Sequence, residues 1–228
     1  MSFPLESLTV YQLPQKKIRV GKDFDGGYII LDGFQYDLFI GCGISRDDSF
    51  ENAFIKKYPI PAFAFDGSIN DIPSKNRKIK FYKKNISDKN NANETNLHDL
   101  IKNYNNIFLK MDIEGGEFPW FDSLTDDQLK KFRQITIEFH RPFVAEKWKI
   151  LERLAKTHWL CHIHPNNCCA ITQFNGVGVP NVFECTYIRK SDVKGTPSKS
   201  TDPIPGPLDM PNIRSKPQHT LKGYPYNV

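Results

Sequence analysis

The sequence predicts an α/β fold built on a seven-stranded, mostly parallel sheet with helices on both faces. Three observations carry that prediction. Strand-like and helix-like segments alternate from residue 36 to residue 190, as parallel βαβ units require. The strand-like segments "YDLFI", "IPAFAF" and "IFLKM" are short, nearly unbroken apolar runs, the pattern of strands buried on both faces. The final strand-like segment follows a long loop, "PNNCCAITQFNGVGVPN". With no helix to cross over, it enters the sheet as an antiparallel partner.

The elements follow in order. Residues 19–33, "RVGKDFDGGYIILDG", read first as a hairpin, because Asp25-Gly26 favours the positive φ of a tight turn. Residues 36–40 form the first strand of the sheet and run into Gly41-Cys42-Gly43. Ser45 with Asp48 resembles a capping box ahead of a helix over 47–58. Strand two spans 60–67 and strand three 78–87. A helix with an apolar stripe covers 95–104. Strand four is 107–111, and "GEFPWFDSL" (116–124) begins a helix in which Pro119 must lie in the first turn. Strand five is 132–139. An amphipathic helix follows at 144–158, then strands at 159–164 and 182–190.

With 228 residues, 39% hydrophobic and 25% charged, the chain is long enough for a sizeable core and ordinary for a globular protein. Residues 1–190 read as one domain. Residues 191–228 hold seven of the sixteen prolines and few aliphatics, and read as an extended arm or a disordered tail. No apolar run approaches the ~18 residues of a membrane span, and the N-terminus lacks a basic and apolar leader pattern. Five cysteines without a framework spacing fit a reducing cytoplasm. The net charge of +5 is mild and its lysines are scattered. A nucleic-acid partner would call for a basic stripe with interleaved aromatics.

In open α/β sheets, ligands bind at the carboxyl ends of the strands, so the residues that follow each strand are the candidates. Gly41 and Gly43 let the backbone turn and approach a ligand, although Arg46 stands where a dinucleotide fingerprint wants a third glycine. Asp66, 23 residues beyond Gly43, is placed to accept ribose hydroxyls. Gly27 and Tyr28 would close over such a ligand. Asp112 ends strand four, where the helix dipole that accounts for Glu117 does little for it. Glu114 and Glu117 share a helix face. Glu138 and His140 lie two apart on strand five, on one side of it, and could converge with Asp112. A histidine among carboxylates is a tunable base. "CHIHPNNCC" (161–169) lacks the paired C-x₂-C spacing of structural zinc. His164 and Asn166 are instead candidates to line a substrate pocket.

These pieces, in this order, resemble the FkbM-type S-adenosylmethionine-dependent methyltransferases. "LKMDIEGGEF" is similar to that family's K-x-D-x-E-G-x-E signature, and "DLFIGCG", "AFAFDGS" and "ITIEFH" support it. The resemblance covers about residues 17–190. It implies a Rossmann-like class I methyltransferase fold and methyl transfer from S-adenosyl-L-methionine to a hydroxyl of a sugar, nucleotide-sugar or glycan. Carried over, Gly41, Cys42 and Gly43 would contact the cofactor, with Gly27 and Tyr28 beside it. Asp66 would hold the ribose, and Asp112 would lie near the methionine portion and the acceptor hydroxyl.

Two routes to an activated hydroxyl are open. His140, oriented by Glu138 or Asp112, is a general-base candidate. A divalent cation, Mg²⁺ or Mn²⁺, held by Asp112 and neighbouring oxygens, is the other. Two rival functions remain: a metal-dependent hydrolase or nuclease using Asp112, Glu114 and His140, and a non-catalytic binding module of the same fold.

Overall fold

Leu38, Ile40 and Cys42 alternate with Phe39 along one short strand, and the alternation sends them to opposite faces of a sheet. A computed structural model describes residues 2–228. Its central sheet has seven strands: β1 (Leu38–Cys42), β2 (Ala62–Phe65), β3 (Ile79–Tyr82), β4 (Ile107–Met111), β5 (Phe132–His140), β6 (His158–Pro165) and β7 (Val182–Arg189). The order across the sheet is β3-β2-β1-β4-β5-β7-β6. β1 to β5 are parallel, and β7 is antiparallel to both β5 and β6. The chain leaves β1 towards β3 and returns on the other side at β4. The carboxyl ends of β1 and β4 therefore flank the switch in direction, where open α/β sheets place ligands.

Each face has its own core. On one, Phe39 and Phe108 pack against Phe50 and Phe54 of α1 (Ser49–Lys57), with Phe54 and Phe108 ring centroids 4.2 Å apart. A leading hairpin, Lys17–Val20 paired with Tyr28–Leu31, adds Tyr28 and Ile30 to that cluster. The opposite face carries Ile40, Leu109 and Ile137. It is covered by α2 (His98–Ile101), α3 (Glu117–Ser123), α4 (Asp126–Leu129) and α5 (Ala145–Thr157). The buried residues of α5 are Ile150, Leu151 and Leu154, one stripe of an otherwise charged helix. Among the described residues no helix is long and apolar enough to cross a membrane.

Several expectations shift at the element level. Ser45 does not form a capping box; it has φ +51°, and Asp48 is the N-cap without a side-chain bond to its helix. The Asp48 carboxylate turns away to accept from Ser74. Strand three stops at Tyr82, and Asn85–Ile86 pairs separately with Glu94–Thr95. The helix over 95–104 shrinks to four residues, since Leu97 sits in the left-handed region ahead of it. The loop before β7 contains a hairpin, Ile171–Phe174 with Val177–Pro180. Asn175 and Gly176 both have positive φ there, the geometry that Asn-Gly favours in two-residue hairpin turns.

Residues 191–228 run back across the carboxyl end of β6 and the amino end of β7. Asn167 donates to the carbonyls of Ile213 and Lys216, Asn212 donates to Glu184, and the Tyr226 hydroxyl donates to the Gly178 carbonyl. His162 meets Asp209 at 2.9 Å, and His164 meets Gln218 at 3.2 Å and Glu184 at 3.5 Å.

Burial opposes a charge on His164, but the Glu184 carboxylate outweighs it and lifts the imidazole to about 9. A histidine raised above its ordinary ~6.5 contributes stability that is complete below that value and lost as pH rises through the folded one. Urea-unfolding midpoints should therefore fall between about pH 7 and pH 9, and His164→Gln should remove part of that fall.

Candidate active site at the carboxyl edge of the sheet

The sharp turn after β1 is possible because residue 43 is glycine. Gly43 has φ +77°, and a Cβ there would stand 1.6 Å from the Asp112 carbonyl oxygen. The β1 turn and the β4 end are thus pressed together, with Asp112 N donating to the Cys42 carbonyl at 3.0 Å. Lys110 is buried beneath and donates to the Gly43 carbonyl at 2.8 Å. Above this junction opens a cavity of about 660 Å³, within the range of cofactor sites. It runs along the strand ends from Asp66, Asn85 and Ile86 at β2 and β3 to Asp112 and Glu114 at β4. That is three strand spacings, about 15 Å. The loop of the leading hairpin (Lys22, Asp25, Gly26) and Tyr28 form another wall.

Asp66 fixes the floor. One oxygen accepts from the amides of Ile44 (2.9 Å) and Ser45 (2.7 Å), the other from the amide and hydroxyl of Ser68 (2.7 and 2.6 Å). Burial works against the charge, but these bonds outweigh it and hold the carboxyl below its usual range. The Tyr28 hydroxyl donates to Asp112 at 3.1 Å, with the Lys110 ammonium over its ring at 5.2 Å.

Where β4 and β5 end side by side, His140 is ringed by carboxylates. Its Nε2 lies 3.1 Å from Glu138, 3.4 Å from Glu114 and 3.8 Å from Asp112; Nδ1 lies 3.5 Å from Glu117. Burial opposes the proton on His140, but Glu117 and Glu138 outweigh it and raise the imidazole to about 10. Burial likewise pushes the Glu138 carboxyl up, and the charges of Asp112 and Glu184 add to it. Asn166 donates to the other Glu138 oxygen at 3.0 Å. Glu138 and Glu184 are direct cross-strand partners, both buried. Asp112, Glu114 and His140 each present one ligand atom within 4.8 Å of the others, so the set could hold a cation.

Six residues singled out from the sequence come together. Tyr28, Gly43, Asp66, Asp112 and Glu114 line the cavity, and His140 joins Asp112 and Glu114. Glu138 and Asn166 stand directly behind His140. Gly27, Gly41, Cys42 and His164 lie off the lining. Gly27 faces the Lys22 carbonyl inside the hairpin loop, and Cys42 points into the core. Gly41 faces α1, and His164 lies beneath the arm. Lys110, the lysine of the strand-four signature, lines the site too. Two residues that the sequence reading passed over also line it: Asn85, and Glu51 of α1, whose carboxylate is buried and has no hydrogen-bond partner. The available signal for Glu51 was its place between Phe50 and Phe54 on the apolar stripe of α1.

A parallel sheet whose order reverses between β1 and β4, with a long cavity over that point, defines a Rossmann-like ligand-binding domain. Residues 35–166, more than half of the chain, match the methyltransferase FkbM domain, and the chain belongs to that family. The seven-stranded sheet with its antiparallel last strand is the class I methyltransferase fold. A solved structure of precorrin-6y C5,15-methyltransferase from Geobacter metallireducens GS-15 is similar over 69% of this chain and 82% of that one, at 13% identity and a TM-score of 0.38. No curated protein sequence matches the chain. Nothing in these comparisons favours a hydrolase or nuclease.

Two substitutions separate the framework from the chemistry. Gly43→Ala should lower stability by at least about 1–2 kcal/mol for the left-handed backbone alone, with the clash against Asp112 added. Glu117 is fully buried and accepts from Gly115 N at 2.8 Å and His140 N at 3.1 Å. Glu117→Gln puts an amide donor against one of those N–H groups and should cost about 1–3 kcal/mol. Urea denaturation reads both.

Proposed function

We propose that this chain is an S-adenosyl-L-methionine-dependent O-methyltransferase acting on a hydroxyl of a sugar, nucleotide-sugar or glycan. The observation that carries the reading is a cavity long enough for an adenosyl amino acid that ends at the carboxylate ring around His140. The cofactor supplies an electrophilic methyl on a sulfonium. Phe65 and Ile86 offer apolar walls for a nucleobase and Asn85 an amide edge, while Asp66 and Ser68 stand where a ribose would reach. Both Asp66 oxygens are already engaged by protein donors, so a ribose diol would take over contacts that Ser68 now makes.

At the other end the residues suit a hydroxyl acceptor. Carboxylates only accept hydrogen bonds. Asp112, Glu114 and Glu138 together can therefore orient several hydroxyls of a polyol and align one of them, which supplies much of the acceleration of a displacement. His140, charged at neutral pH, pairs with Glu138 through Nε2, and its backbone N–H donates to Glu117. The proton-accepting role that the sequence suggested for His140 passes to Asp112 and Glu138. The burial that raises the Glu138 carboxyl brings that group closer to the task.

Mg²⁺ or Mn²⁺ fits the hard oxygens of Asp112 and Glu114 with His140 as the third ligand. Bound there, it would act as a Lewis acid towards a hydroxyl, and His140 would bind in its neutral form.

Calorimetry of EDTA-treated protein with S-adenosylhomocysteine should show micromolar binding; no binding would refute the cofactor assignment. Methyl transfer from labelled S-adenosylmethionine to a panel of sugars and nucleotide-sugars should fall at least about a hundredfold in Asp112→Asn, with its unfolding midpoint kept. Turnover that survives EDTA would leave the carboxylates as the proton acceptors. Turnover lost in EDTA and restored by Mg²⁺ or Mn²⁺ would assign the cation.

A further inference from the structure

Glu51 of α1 is a buried acid, 1% exposed, with both carboxylate oxygens unpartnered. Among the described residues no basic group lies within 4.0 Å of it. A buried carboxylate left in this way costs several kcal/mol, which a sequence escapes cheaply by placing glutamine or leucine there. The surroundings instead make room for it. A Cβ on Gly41 would stand 3.0 Å from Glu51 Oε1, so the glycine before the turn clears the carboxylate's space. Glu51 also lines the cavity, on the same wall as Gly43 and Lys110. Burial pushes the Glu51 carboxyl up to about 7; the Lys110 ammonium works against that rise, but its hydrogen bond goes to the Gly43 carbonyl.

Place along the cavity narrows what could meet this acid. The nucleoside end is at β2 and β3, and the acceptor end is at Asp112 on β4. Glu51 lies under β1, between them. A ligand group that repays a buried carboxylate must carry positive charge and N–H donors. The sulfonium of the methyl donor has no donors and must face the acceptor. The amino acid part has one group of the required kind.

We propose that Glu51 receives the α-ammonium of the amino acid portion of the cofactor and so selects adenosyl amino acids over plain nucleosides. This rests on the cofactor reading above. Lys110 then keeps the carboxylate tolerable while the cavity is empty, and Gly41 keeps it free of steric contact.

The test compares three probes by calorimetry: S-adenosylhomocysteine, its deaminated analogue, and 5′-methylthioadenosine, which lacks the amino acid portion. Wild-type protein should bind S-adenosylhomocysteine at least ten times more tightly than the deaminated analogue. Glu51→Gln should weaken S-adenosylhomocysteine about 10–100-fold, in line with a charge-assisted bond, and leave the other two within threefold. The substitution is isosteric and removes a buried charge, so the fold should hold, as urea unfolding will show. Glu51→Asp, which keeps the charge but withdraws it, should fall between the two for S-adenosylhomocysteine alone. Equal weakening of all three probes by Glu51→Gln would overturn the proposal in favour of a pocket-shaping role. So would wild-type protein that ignores loss of the amine. Wild-type protein that binds no probe would defeat the cofactor reading, and this proposal with it.

Discussion

Everything at the carboxyl edge depends on how closely two backbones approach. The turn after β1 touches the end of β4 with no room for even a methyl group, because Gly43 lies against the Asp112 carbonyl. That contact sets the height of Asp112 relative to the cavity floor and brings Tyr28 within reach of its carboxylate. It also gives Lys110 a carbonyl to hold from below. A few tenths of an ångström more separation would loosen all three, since hydrogen bonds weaken steeply with distance and angle. The chemistry is carried by side chains, but their positions are inherited from this one place.

The carboxylate ring around His140 is costly on its own terms. Four acids converge on one imidazole, and Glu184 stands across from Glu138. A single protonated histidine cannot neutralise all of them. What remains is a site with spare acceptor capacity and spare negative charge, which suits hydroxyl-rich or cationic ligands and disfavours phosphate near β5. The framework absorbs part of the cost through Asn166, and through the arm by way of Asn212 on Glu184.

The sheet was readable from short apolar runs, and the places of Asp66 and Asp112 on the cavity lining from their positions next to strand ends. Those arguments work because strand ends are set by local pattern. Glu51 was not readable, since an acid in a helix normally faces water, and only the approach of β1 shows that this one does not. His164 misled for the same kind of reason. Its strand-end position matched a pocket residue, but residues 209–218 return from far along the chain and cover it. The hairpin at Asn175-Gly176 was read as plain loop, because its flanking residues are too polar and short to read as strands. The missing cap at Ser45 reflects competition: Asp48 found a better partner in Ser74, 26 residues away.

The return of the arm over β6 and β7 has a consequence for biosynthesis. Glu184, His164 and Asn167 are in place once β7 is made, but their partners at 209–218 are synthesised afterwards. Until those residues arrive, two buried-type polar clusters face solvent or one another unpaired. Since domains assemble from the amino end as synthesis proceeds, the sheet can form first and wait. A nascent chain halted near residue 200 would thus hold every residue that lines the cavity, beside polar groups of β6 and the loop after it still waiting for their partners.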